Sequence, residues 1–205
     1  PSEQGMKVVG LCGGIGAGKS TVAGLLAERG AVVVDVDALG RSVLTHDEVR
    51  RAVVSEFGDG VLDAEGEIDR AALAHEAFCC EGRLTDLEAI SHPAIDREIA
   101  RCMDALSEDP PDLVVLDMAV LVESDLGKLA DGRGYTEVVV VEAGAEVRLE
   151  RLVARGMAVD DARSRMAAQA TDADRRAVAD HVVVNDSDEA ALAQRVDELL
   201  RLLVA

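Results

Sequence analysis

Five runs of consecutive apolar residues, rich in valine, punctuate the chain at 7–12, 31–35, 112–117, 137–142 and 181–185. An unbroken apolar run, unlike an alternating one, suits a strand covered on both faces, so these runs predict a parallel sheet. Between them lie segments with apolar residues at helical spacing. Segment 21–29 is one, and Gly30 follows it where a left-handed residue commonly closes a helix. Segments 47–57, 69–78 and 83–106 fill the interval between the second and third runs, with a turn near Gly58-Asp59-Gly60. Residues 149–179 form a polar helical stretch dense in Arg and Asp, and 188–203 an amphipathic helix. Strands alternating with helices predict an α/β fold with a helical insertion.

The first run leads into Gly13-Gly14-Ile15-Gly16-Ala17-Gly18-Lys19-Ser20. A Gly, four open positions and Gly-Lys-Ser between a strand and a helix is the phosphate-loop pattern. A triphosphate needs many donors close together, and glycines let backbone N–H groups approach without crowding. The following helix adds the positive end of its dipole. Gly14, Ile15, Gly16, Ala17, Gly18, Lys19, Ser20 and Thr21 are therefore the candidate nucleotide contacts. Lys19 is expected to reach the β- and γ-phosphates and the Ser20 hydroxyl to ligate Mg²⁺.

Composition narrows the partners. With 205 residues and 49% of them hydrophobic, the chain can build a sizeable core. Aromatics are Phe57, Phe78 and Tyr135, too few for base-stacking platforms. The formal net charge of −19 repels nucleic acid and anionic lipid, so neither is an expected partner. Cys12, Cys79, Cys80 and Cys102 and the four histidines lack zinc-site spacing, and the plain expectation is reduced thiols in a cytoplasm. No run is long enough to span a membrane, and the start has no signal-peptide pattern. Residues 1–5 before Met6 read as a tag remnant.

Three sets of residues can complete a site. Asp35 and Asp37 stand at the end of the second run, where ligands gather in open α/β sheets. A carboxylate there can accept the proton of an attacking hydroxyl or help hold Mg²⁺, whereas Asp37 could instead cap the next helix. Asp117 ends the third run in the manner of a metal-binding acid delivered by an apolar strand. Glu123 is a weaker candidate. Arg148, Arg151, Arg155, Arg163 and Arg165 crowd the segment after the fourth run. Guanidinium groups stabilise charge on a transferring phosphoryl group, although pairs such as Asp161 with Arg165 could equally decorate a solvated helix.

Taken together, these motifs resemble the bacterial dephospho-CoA kinases from Gly10 to about Val204. The similarity rests on Gly10–Thr21, on Val34-Asp35-Val36-Asp37 with Arg41, and on Asp69-Arg70-Ala71-Ala72-Leu73. It extends to Leu87-Glu88-Ala89-Ile90-Ser91-His92-Pro93, Arg165-Met166-Ala167-Ala168-Gln169 and Ala179-Asp180-His181 through Asn185. Departures are Cys12, Ala17, Val36, and Ala119, which stands where the family usually has Pro; the last puts the role of Glu123 in doubt.

The resemblance implies ATP- and Mg²⁺-dependent phosphorylation of the 3′-hydroxyl of dephospho-CoA, the last step of coenzyme A synthesis. It makes Asp37 the base, Lys19 and Ser20 the phosphate and Mg²⁺ contacts, and Arg41 and His92 acceptor residues. Arg151, Arg155 and Arg165 become lid residues, and Asn185 a neighbour of adenine. Asp35 and Asp117 remain, with Ser20, the candidate metal ligands. The implied architecture is a P-loop NTPase-type parallel sheet flanked by helices. Its core is 6–45, 110–148 and 180–205, with a helical acceptor domain at 46–109, a helical lid at 149–179, and a monomer or small homo-oligomer expected. The alternatives are another small-metabolite kinase, such as shikimate kinase, or a non-catalytic ATP-binding switch.

Overall fold

The computed structural model describes residues 6–80, 82–119, 121–122, 124 and 126–204. Five strands, β1 (Lys7–Gly13), β2 (Val32–Asp35), β3 (Leu113–Asp117), β4 (Glu137–Glu142) and β5 (His181–Val184), form one sheet in the order β2-β3-β1-β4-β5. Every pairing is parallel. All carboxyl ends therefore share one edge, with Asp35 in register with Asp117, Leu11 with Asp117 and Gly13 with Val141.

The helices are α1 (Lys19–Glu28), α2 (Val36–Val43), α3 (Asp47–Phe57), α4 (Arg70–Phe78) and α5 (Arg83–Leu106). After β4 come α6 (Ala145–Ala154), α7 (Val159–Ala167) and α8 (Asp172–Val178), and after β5 comes α9 (Glu189–Leu203). Local codes set several of these limits. Asp69 caps α4 by accepting from Ala71 N and Ala72 N, and Asp188 caps α9 by accepting from Ala191 N. Gly30, at φ 95°, takes the left-handed turn that follows α1.

The chain divides into two compact units, 1–35 with 103–205, and 36–102. In the first, Val22 and Leu26 of α1 and Leu192, Val196, Leu199 and Leu203 of α9 pack with Val9, Leu11, Val115, Val139, Val141 and Val183 of the sheet. The α9 spacing of four, three and four residues lays one stripe along the helix. Each such side chain contributes about 1.5–3 kcal/mol when fully buried. The opposite sheet face is also closed: Val8, Val114, Leu116, Val138 and Val140 are buried, as are Met118, Leu121 and Tyr135. Gly10 fits there because a Cβ would lie 2.4 Å from Leu121 Cδ1 and 3.3 Å from the Tyr135 ring.

The second unit holds α2, α3, α4 and most of α5 around Val43, Val49, Val53, Phe57, Val61, Leu73, Ile95 and Ile99. Arg83 stacks on Phe57, its carbon Cζ 4.2 Å from the ring centre, and binds Glu56 at 2.8 Å.

One reading is refined and one changes. The stretch 149–179 is split among three helices, broken at Gly156 with φ 90° and again before Thr171, whose capping box with Asp174 starts α8. Strand β2 stops at Asp35, so Asp37 is not on a strand end but in the first turn of α2. No loop separates the two elements, and an acid in the first turn complements the helix dipole. Among the described residues, no helix is long and apolar enough to cross a membrane.

Candidate active site

Strand β1 delivers its last residue, Gly13, against β4, so closely that a Cβ there would lie 2.7 Å from Val141 O. The chain then turns, Ala17 N donating to Gly14 O at 2.9 Å. Gly16 and Gly18 adopt φ of 81° and 95°, conformations that other residues avoid. Gly18 is the N-cap of α1, and its carbonyl accepts from Thr21 N at 3.0 Å and Val22 N at 3.1 Å. The first turn of α1 carries no acid, leaving its positive end to an incoming anion. The loop and Ser20, with Ala119, Arg155 and Gln169, line a cleft of about 240 Å³.

Charge is arranged on the β3 side. Lys19 Nζ forms an ion pair with Asp117 Oδ1, with side chains only 17% and 14% exposed. Asp35, exposed at the end of β2, lies beside Asp117 in register. Ser20 is exposed in the first turn of α1. A hydroxyl and carboxylates are hard oxygen donors, which suits Mg²⁺, an ion usually held by one or two protein ligands plus phosphate and water.

The other side of the loop is braced by side chains from β4–α6 onward. Arg148, 5% exposed, donates from Nε to Ile15 O at 2.9 Å. Its Nη1 meets Asp172 Oδ1 at 3.2 Å, and Asp172 also binds the buried Arg175 at 3.1 Å. Burial pushes the Arg148 guanidinium below its ordinary value, Asp172 opposing and Arg175 reinforcing that shift. Gly14 leaves room for it, since a Cβ there would lie 2.4 Å from Nη2. Asn185, 6% exposed at the end of β5, donates from Nδ2 to Ala17 O at 2.8 Å. Arg151 donates to Asn185 O at 2.9 Å and reaches Gly16 O and Ala17 O at 3.4 Å. Gln169 Oε1 accepts from Ile15 N at 2.8 Å.

Lys19, Ser20, Asp35, Asp117, Arg151, Arg155 and Asn185 are thus assembled around the loop. Arg155 lines both the loop cleft and a second one of about 310 Å³ bounded by Gly18, Thr21, Asn185 and Leu192. Arg165 is exposed in the last turn of α7. Asp37 and Arg41, in the first and last turns of α2, and His92, part-buried in α5, belong to the unit 36–102. Glu123 lies outside the described residues. Sequence reasoning counted Arg148 in an arginine cluster that could stabilise a transferring phosphoryl group, not as a brace of the loop, and placed Gln169 in a motif without a site role. The motif was the available signal for Gln169; nothing local marked Arg148 off from its neighbours.

The dephospho-CoA kinase family model matches residues 7–191. The chain belongs to that family. It is 41% identical over 196 residues to the dephospho-CoA kinase of Corynebacterium diphtheriae, covering 95% of this chain and 96% of that one. It is 44% identical over 201 residues to that of Frankia casuarinae, covering 98% and 85%. Among solved structures, TT1252 of Thermus thermophilus superposes with a TM-score of 0.82 at 30% identity, covering 98% of this chain and 99% of the other. Kinship with this kinase family, and the sheet order above, fix the fold as that of a P-loop kinase.

Proposed function

We propose that the chain transfers the γ-phosphoryl group of ATP to the 3′-hydroxyl of dephospho-CoA, giving CoA and ADP. The observation that carries this reading is the phosphate loop with its Lys19–Asp117 pair at the carboxyl edge of the sheet, in a chain of this family. The acceptor O–H attacks the γ-phosphorus, the bond to the β–γ bridging oxygen breaks, and the acceptor proton passes to Asp37. The loop amides and Lys19 neutralise the charge that develops on the phosphates. Arg151, Arg155 and Arg165 supplement that charge from a lid spanning 149–179. Ser20, with Asp35 or Asp117, would hold Mg²⁺, which when bound supplies charge neutralisation across the β- and γ-phosphates. Residues 46–109 present the acceptor, with His92 from within that segment and Arg41 from α2 just before it. Asn185 serves the nucleotide by fixing the loop and bounding the adjoining cleft. Catalysis of this kind rests on positioning and electrostatics more than on covalent chemistry.

A coupled assay of ADP release with dephospho-CoA, with shikimate and with no acceptor tests the reading. Release should require dephospho-CoA. Release that is indifferent to it, or that prefers shikimate, sinks the assignment.

A further inference from the structure

Gln169, between α7 and α8, shares the loop cleft and has no part in the reaction as set out above. Its bond to the Ile15 N–H identifies the accepting atom as the carboxamide oxygen, because a nitrogen donor cannot be met by the NH₂ group. The nitrogen, with two N–H donors, is then left on the other arm of the carboxamide. Among the described residues that nitrogen has no protein hydrogen-bond partner. The groups around it are held. Ile15 O is taken by Arg148, Arg148 is tied to Asp172, and the Thr171 capping box begins two residues after Gln169.

The two clefts give the nucleotide a direction. They share Gly18, Thr21 and Arg155. The second continues past Arg151 to Asn185, Ser187, Glu189 and Leu192, where amide, hydroxyl and carboxylate groups can meet the polar edge of a base and Leu192 can lie against its face. The first ends at Gln169 and at Ala119, two residues past Asp117, where the terminal phosphate would lie.

We infer that Gln169 reads the γ-phosphate: its oxygen fixes the Ile15 amide while its nitrogen donates to a γ-phosphoryl oxygen. This rests on the kinase reading above. A diphosphate lacks the group that Gln169 contacts, so the residue discriminates ATP from ADP. It also steadies the phosphoryl group during transfer.

The test compares Gln169→Ala and Gln169→Glu in the full chain. Isothermal titration with Mg·ATP and Mg·ADP is run beside steady-state turnover and thermal melting. Glutamate keeps an oxygen for Ile15 but offers the phosphate a negative charge in place of a donor. In both variants ADP affinity should stay within about twofold of wild type, while ATP affinity and kcat fall about 10- to 100-fold, as for loss of a hydrogen bond to a charged group. The glutamate variant should lose at least as much as the alanine one. Wild-type ATP affinity or kcat in Gln169→Glu would reduce the residue to a brace for Ile15 and overturn the proposal. A parallel loss of ADP affinity, or a neutral Gln169→Ala, would overturn it as well. ATP-over-ADP discrimination needs no acceptor, so this outcome stands apart from whether dephospho-CoA is the substrate.

Discussion

Replacing Gly18 by alanine tests the account of the loop most sharply. At φ 95° and ψ 24° the residue caps α1 in a left-handed conformation that costs an L side chain about 1–2 kcal/mol. The new Cβ would also lie 2.2 Å from Asn185 Nδ2, closer than any real contact. The Asn185 amide must move, and it surrenders its 2.8 Å bond to Ala17 O. That carbonyl keeps Arg151 Nη1 at 3.4 Å, so the loss sits nearer a net hydrogen bond than a stranded acceptor, about 1–2 kcal/mol. The sum is about 2–4 kcal/mol, or a fall in Tm of about 4–16 °C for a chain of this size. Melting of Gly18→Ala, Asn185→Ala and the double variant separates the two parts. With Asn185 truncated the clash is gone, so the double variant should be more stable than additivity predicts by about 1–2 kcal/mol. Strict additivity, or a Gly18→Ala variant within about 0.5 kcal/mol of wild type, would refute the claim that Asn185 and the loop share one packed geometry.

Two further outcomes follow from other parts of the molecule. Asp37→Asn should bind ATP as wild type does while dephospho-CoA-dependent turnover falls about 10²- to 10⁴-fold, and unchanged turnover removes Asp37 as the base. Glu137 accepts from Lys7 at 2.6 Å and meets His181 at 2.7 Å, and chiefly the lysine, then the histidine, holds its carboxyl below the ordinary carboxylate range. A depressed folded value gives stability that is present above the unfolded value and lost as pH falls through the folded one. The advantage in Tm of wild type over Glu137→Gln should thus be full near neutrality and shrink below about pH 4, the ordinary carboxylate value. A constant difference down to pH 3 contradicts that.

The framework was legible because its signals are local. A valine run names a strand, Asp69 and Asp188 name helix starts, and the loop motif names its own ligand. Asp37 was misplaced because Val34-Asp35-Val36-Asp37 alternates like a strand, and its alternation hides a helix that begins at Val36. Only the apolar pair Val36 and Val43, two turns apart, betrays that helix, and only once the strand is cut at Asp35. The braces behind the loop were illegible for another reason. Arg148 meets Ile15 across 133 positions, Gln169 meets it across 154, and Asn185 meets Ala17 across 168. Such pairs are set by strand order, which composition and periodicity do not encode.

The sheet order β2-β3-β1-β4-β5 has a consequence for how such a protein can change over time. The middle strand carries the loop; the strands on one flank end in Asp35 and Asp117, and those on the other lead to Arg148, Arg151 and Asn185. One flank therefore carries carboxylates beside Lys19, and the other carries the side chains that brace the loop. The 36–102 unit enters the chain between β2 and β3, on the acid flank, whereas α6 to α8 join β4 to β5 on the other. On the proposed reading that the helical unit receives the acceptor, exchanging that insert changes what is phosphorylated while the braces behind the phosphate loop are kept.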